Sequence, residues 1–190
     1  ALCEVELAQG GKAGQQVIVP RKGVLELQRI LGNEDQLLEV SIGSNHLRVQ
    51  IGDIRFTSKL IDGRFPEYSR VIPNNPPHTV GAVRDDLRQA LQRAAILSNE
   101  KYRGIRFALK PNALMIQAHN PEQEEAEEEV EVTYDGEELE IGFNVNYLMD
   151  ALAAIDGPEV LIGLTDGNSS CLIRSGTEST SRFVVMPMRL

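Results

Sequence analysis

The chain predicts an α+β fold with helices on one face of antiparallel sheets. Three observations carry that prediction: a β-α-β-β-β half-domain plan recurs along the sequence, its helices keep a helical apolar period, and its strands alternate with a period of two. Helix starts fall about sixty residues apart, too far for a solenoid and suited to a half-domain of one helix and one sheet.

In the first copy Gln16-Val17-Ile18-Val19 leads into a helix over 21–31, followed by strands near 37–42, 46–51 and 54–60. Val24, Leu27 and Leu31 share one helix face, and Lys22, Glu26 and Arg29 share the opposite one. The second copy begins near Thr79-Val80, with a helix over 84–97 and strands near 104–109, 113–118 and 127–134. Leu87, Ala90, Leu91 and Ala94 are expected inside, with Arg84, Arg88 and Gln92 outside. The third copy has a strand over 138–143 and a helix over 146–155 entered through Asn144 or Val145. Its later strands are expected near 159–164, 170–174 and 182–186. Leu148, Met149, Leu152 and Ile155 form its apolar stripe, and Gly157-Pro158 stops the helix. Runs such as Leu47-Arg48-Val49-Gln50-Ile51 and Leu114-Met115-Ile116-Gln117-Ala118 give each sheet one apolar and one polar face. Helices with a single apolar stripe must cover the apolar faces.

With 190 residues, 42% of them hydrophobic, the chain can bury a substantial core in one to two domains. No apolar run approaches the roughly 20 residues of a membrane-spanning helix, and no membrane partner is expected. Ala1-Leu2-Cys3-Glu4 shows no basic region or cleavage signal. Cys3 and Cys171 are too few for a disulfide framework, which favours a reducing, cytoplasmic setting. A net charge of −9 opposes a surface coated in nucleic acid, yet the charge is segregated. Acid concentrates between Glu122 and Glu129, while Arg21, Lys22, Arg29, Arg84, Arg88 and Arg93 lie on or at the ends of two helices.

Little in the sequence carries catalytic chemistry. His46, His78 and His119 lack metal-ligand spacing to Cys or carboxylates and read as surface or turn histidines. Gly10-Gly11-Lys12-Ala13-Gly14 lacks phosphate-loop spacing and a hydroxyl residue after Lys, and reads as a flexible hairpin connection. Adjacent glutamates on a strand-like segment point in alternate directions, which favours a solvated or partner-facing edge over a cation site. No cofactor or metal is expected. A binding scaffold is the main reading; an enzyme using the glutamates with a divalent metal is the alternative, and it would lose turnover on joint substitution of Glu124 and Glu125.

Several segments in fixed order carry a family resemblance: Val19-Pro20-Arg21-Lys22-Gly23, Phe56-Thr57-Ser58-Lys59-Leu60-Ile61-Asp62-Gly63-Arg64-Phe65-Pro66, Ala95-Ile96-Leu97-Ser98-Asn99-Glu100-Lys101-Tyr102-Arg103-Gly104, the acidic run after Asn120-Pro121, Ile141-Gly142-Phe143-Asn144-Val145, and Val185-Met186-Pro187-Met188-Arg189-Leu190. They resemble the beta subunit of bacterial DNA polymerase III, the sliding-clamp family, over essentially the whole chain after about Gln16. The resemblance implies a DNA-clamp (processivity) fold and no intrinsic catalysis. Family members form a homodimeric ring of three-domain protomers around duplex DNA, each domain holding two of the repeated half-domains. Residues 1–62 would then be the second half of a middle domain, and 63–190 a complete C-terminal domain. An opening half-domain is expected to leave a sheet edge and an apolar helix face uncovered.

The resemblance also implies three surfaces. Arg21, Lys22, Arg29, Arg84, Arg88 and Arg93 would face DNA, offering phosphates mobile charge without reading sequence. A pocket for Gln-Leu-x-Leu-Phe-like peptides of replicative and translesion polymerases, the clamp loader and repair proteins would use Pro66, Arg70, Val71, Tyr102, Asn144, Tyr147, Asn168 and Ser170. The tail Val184, Val185, Met186, Pro187, Met188, Arg189 and Leu190 would complete it, methionine being able to repack around different peptides. In the family, a Thr-x-Gly-His-Arg-Leu wall of this pocket precedes the position of Ala1. Ile96, Leu97, Glu122, Glu124, Glu125 and Glu128 would form the dimer interface, an apolar centre with a charged rim. Its partner surface belongs to the family's first domain, so the chain is expected to be monomeric or a non-ring oligomer. A short regulatory form that occupies clamp partners without encircling DNA is a further reading.

Overall fold

A computed structural model of the chain describes residues 1–7, 14–32, 37–177 and 179–189. In chain order the elements are β1 (Leu2–Cys3), α1 (Arg21–Ile30), β2 (Leu38–Ile42), β3 (His46–Ile51), β4 (Ile54–Lys59), β5 (His78–Val83), α2 (Arg84–Ala94) and β6 (Gly104–Lys110). There follow β7 (Ala113–His119), β8 (Glu125–Glu131), β9 (Leu139–Asn144), α3 (Val145–Ala153), β10 (Glu159–Leu164), β11 (Cys171–Ser175) and β12 (Ser181–Val185). They divide into two compact units, one of Ala1–Glu6 with Tyr68–Leu190 and one of Leu7–Glu67.

The larger unit holds two antiparallel sheets, ordered β1-β12-β11-β10-β5 and β8-β7-β6-β9. Each half-domain lends its first strand to the other's sheet: β5 pairs with β10, and β9 pairs with β6. The exchange is reciprocal in register, Ala82 lying opposite Val160 and Phe143 opposite Ile105. The same exchange brings α2 against α3. Between the sheets, Leu87, Leu91, Leu148 and Leu152 from the helices meet Ile105, Phe107, Ile116, Phe143, Val160 and Ile162 from the strands, all essentially buried. Phe107 and Phe143 meet edge to face at 5.5 Å between ring centres, a favoured aromatic geometry.

The helix starts follow their local chemistry. Asn144 caps α3, its side-chain oxygen accepting the backbone N–H of Asn146 at 3.0 Å, which identifies it as the entry residue. The helix expected over 84–97 is α-helical only to Ala94 and finishes as a tight 3-10 turn, Ala95–Leu97. Ser98 closes that turn by donating both its backbone N–H and its hydroxyl to the Ala95 carbonyl, at 3.2 and 2.7 Å. The strand expected near 127–134 is Glu125–Glu131, because Val132 donates to Asn112 and Thr133 exchanges two backbone bonds with Gly81.

In the smaller unit α1 packs on the sheet β2-β3-β4, over a core of Leu47, Val49 and Ile51 flanked by Val19, Leu27, Ile30 and Phe56. Gly23 permits this approach, since a Cβ there would come within 2.6 Å of the Ser58 hydroxyl. The strand expected at 16–19 is extended backbone joined by a single bridge, Ile18 to Ile61. On the shared face of α1 Leu27 packs on the core while Val24 and Leu31 are exposed, as are Leu38, Val40 and Ile42 of β2. The reading of 10–14 as a hairpin connection falls outside the described residues except at Gly14.

Candidate functional site

The last strand and the tail beyond it carry Val184 to Arg189 of the residues predicted for the pocket. Along β12 alternate residues face inward, which buries Val185 in the core and leaves Val184 half-buried. Val185 is therefore part of the core of the larger unit. Met186 is 60% exposed. Met188 donates its N–H to Gly142 at 2.9 Å, pinning the tail to β9. A groove of about 440 Å³ opens beside it, lined by Arg106, Glu140, Gly167, Asn168, Pro187, Met188 and Arg189. It thus joins Asn168 to three tail residues predicted with it; Leu190 lies outside the described residues.

Arg106, Glu140 and Gly167 had no sequence signal of their own. The Arg106 guanidinium reaches Glu140 across β6 and β9 at 3.4 Å. Gly167 permits the loop to press on β9, since a Cβ there would come within 2.6 Å of the Glu140 carbonyl. Asp166 holds the same loop by accepting the N–H groups of Asn168 and Ser169, both at 2.7 Å. Those bonds keep its carboxyl below the usual carboxylate range, so protonation loosens the turn only as pH falls below that range.

Val71 and Ser170 form a second group. The Ser170 hydroxyl donates to the Val71 carbonyl at 3.0 Å, and Ser170 stands one residue beyond the Cys171–Val185 pair, opposite Met186. Val71 is 47% exposed and follows the short turn Tyr68–Arg70. Tyr102, Asn144 and Tyr147 lie at the end of β6 and β9 where Gly104 pairs with Asn144. Asn144 donates its side-chain N–H to the Tyr102 carbonyl at 3.1 Å, so capping and this bond occupy both ends of its amide. Tyr102 and Tyr147 are exposed. Pro66 is exposed and belongs to the smaller unit.

The acidic run is divided by the strand that carries it. On β8, Ala126, Glu128 and Val130 share the helix-facing side, while Glu125, Glu127 and Glu129 face away. Asn120 engages Glu124 twice, at 2.7 and 2.9 Å, in the turn that also holds Glu122. Ile96 is exposed and Leu97 half-buried in the 3-10 turn. Arg93 makes two bonds to Glu128, at 2.8 and 2.6 Å, which hold the Glu128 carboxyl below its usual range. Arg93 therefore shares a surface with Glu128. Arg84 donates to the Ile155 carbonyl at 2.7 Å and pairs with Asp85 at 3.1 Å, stapling α2 to the end of α3. Arg29 pairs with Glu26 at 3.0 Å on an exposed face. Arg21, Lys22 and Arg88 are exposed and make no ion pair among the described residues.

The family model for the C-terminal domain of the DNA polymerase III beta subunit matches residues 69–189, and the model for its central domain matches residues 1–67. A beta sliding clamp of Proteus mirabilis is 55% identical, and one of Escherichia coli K12 53%, in each case over 100% of this chain and 52% of the relative. The chain thus spans about half the length of the curated relatives it matches. A solved Pseudomonas aeruginosa sliding clamp bound to griselimycin is 51% identical with a TM-score of 0.95, covering 99% of this chain and 51% of that one. A Caulobacter crescentus clamp reaches a TM-score of 0.94 at 34% identity, over 99% of this chain and 50% of that one. No helix among the described residues is long and apolar enough to cross a membrane. On both domain matches and on fold, the chain belongs to the DNA polymerase III beta subunit family, the bacterial sliding clamps.

Proposed function

We propose that this chain is the docking portion of a bacterial sliding clamp, a non-catalytic factor that tethers a DNA polymerase to duplex DNA in the cytoplasm. The central-domain part, expected to end at 62, extends to Glu67 as the second half of a middle domain, and the residues from Tyr68 onward act as the C-terminal domain. The observation that carries the reading is the exposure of two apolar side chains, Val71 and Met186, at the end of the sheet where Ser170 bonds to Val71. Exposed apolar groups rimmed by polar ones mark a binding site. A Gln-Leu-x-Leu-Phe-like peptide from polymerases, a clamp loader or repair proteins fits that chemistry, its leucine and phenylalanine seeking the apolar surface. Tyr102, Asn144, Tyr147, Asn168 and the 187–189 tail extend the surface.

Arg21, Lys22 and Arg88 supply unpaired charge for phosphates, and processivity comes from encirclement by the full-length homodimer. Ile96, Leu97 and the Glu122–Glu128 region supply one side of that ring closure. The chain alone binds duplex weakly. Fluorescence anisotropy of a labelled peptide tests docking: saturable binding is expected, lost on deletion of 188–190 and weakened about tenfold by Met186→Ala, the loss of one anchoring contact. Binding unaffected by both changes would overturn the assignment.

A further inference from the structure

We infer that a cleft on the outer face of β11 and β12, ending at Arg174 and Arg182, receives an acidic side chain on a flank of the docked peptide. The inference rests on the peptide-docking reading and adds to it a charge that the partner must carry. Cys171, Ile173 and Ser175 of β11 are buried, and the first two belong to the core between the sheets. Alternation along the strand therefore turns Leu172 and Arg174 to the opposite, outer face. Their cross-strand partners there are Val184 and Arg182.

The segment after Val71 roofs part of this face. Pro76 lies directly on Gly163, and Leu172 is only 9% exposed although it stands outside the core cluster. A cleft of about 500 Å³ remains, with Ile72, Asn74, Asn75, Leu172, Arg174 and Arg182 in its lining, all within the larger unit. It begins where the docking surface ends. Ile72 follows Val71, and the Leu172–Val184 pair lies next along the strands from Ser170 and Met186.

At its far end the cleft carries uncompensated charge. Arg174 and Arg182 stand directly opposite each other, and like charges in that arrangement repel. Arg182 pairs with Glu4, whereas Arg174 is exposed and makes no ion pair among the described residues. Two guanidiniums thus share one carboxylate, and the planar fork of arginine suits a second. The side-chain amides of Asn74 and Asn75 line the same cleft and can donate to it. Ser170 and Arg174 are four positions apart, roughly 13 Å of strand, a span that an extended peptide covers in as many residues. An Asp or Glu about four residues outside the apolar anchor therefore reaches Arg174. The charge of the whole chain gives the opposite expectation. At −9 the molecule repels acidic peptides, so affinity gained from added carboxylates must come from local cations.

Fluorescence anisotropy with the 190-residue chain tests the inference. The labelled Gln-Leu-x-Leu-Phe peptides differ only in flank: uncharged, Asp-Glu about four residues before the motif, or Asp-Glu about four residues after it. One acidic peptide is expected to bind about fivefold tighter than the uncharged one at low salt, a gain that shrinks as salt is raised. In Arg174→Gln the acidic and uncharged peptides are expected to bind alike, and in Arg174→Glu a Lys-Lys flank at the same position is expected to bind best. That charge swap is a gain of binding, which a misfolded variant cannot give. Acidic flanks that bring no gain, or a gain that survives Arg174→Gln, overturn the inference and leave docking intact. Absence of saturable binding by every peptide overturns the docking reading and this inference with it.

Discussion

Cys171 is fully enclosed at the start of β11, and burial alone pushes its thiol from an ordinary 9.0 up to about 12. Cys3 is exposed. A thiol reagent at pH 8 is therefore expected to modify one cysteine in the folded chain and the second only after denaturation, which mass spectrometry after proteolysis would assign. Rapid labelling of Cys171 in the native protein would contradict the burial. The sign of the linkage also follows. The folded state keeps the Cys171 proton where the unfolded chain releases it, so this contribution to stability is complete below about pH 9 and declines as pH rises towards 12. Gly167 belongs to the same scale. Its alanine variant must push Glu140 away or open the groove beside Met188, and weaker peptide binding with little loss of melting temperature is expected.

At the scale of elements, α3 depends on one side chain. Asn144→Ala removes the cap on Asn146 and the bond to Tyr102 together, at an expected cost of about 1 kcal/mol in urea unfolding. Asn144→Asp keeps the capping oxygen and should recover most of that loss, whereas equal losses would mean that the Tyr102 bond dominates. This helix was legible in the sequence because Leu148, Leu152 and Ile155 keep helical spacing and Gly157 ends the run with a φ of 94°. The strands β6 and β7 were legible through a two-residue period that their burial follows. Three features were not. Leu2–Cys3 adds to the edge of β12 through partners far away in sequence, Ser181 and Arg182, and no local period announces such a pairing. Val185 looks identical to Val184 until a register decides which of them faces the core. The partners of Arg84 and Arg93, the Ile155 carbonyl and Glu128, are supplied by the fold, and no sequence spacing announces them.

At the scale of the whole molecule the two units differ in what holds them. The larger has a continuous core drawn from α2, α3 and both sheets, while the fully buried apolar side chains described in the smaller are Leu47, Val49 and Ile51. Burial contributes in proportion to apolar area removed from water, so the smaller unit has the weaker hold on its own backbone bonds. Calorimetry is expected to resolve two transitions, and hydrogen exchange to show β2, β3 and β4 opening well before β6 and β7. A single cooperative transition, with equal protection in all three sheets, would mean that the smaller unit draws its stability from something other than its own core.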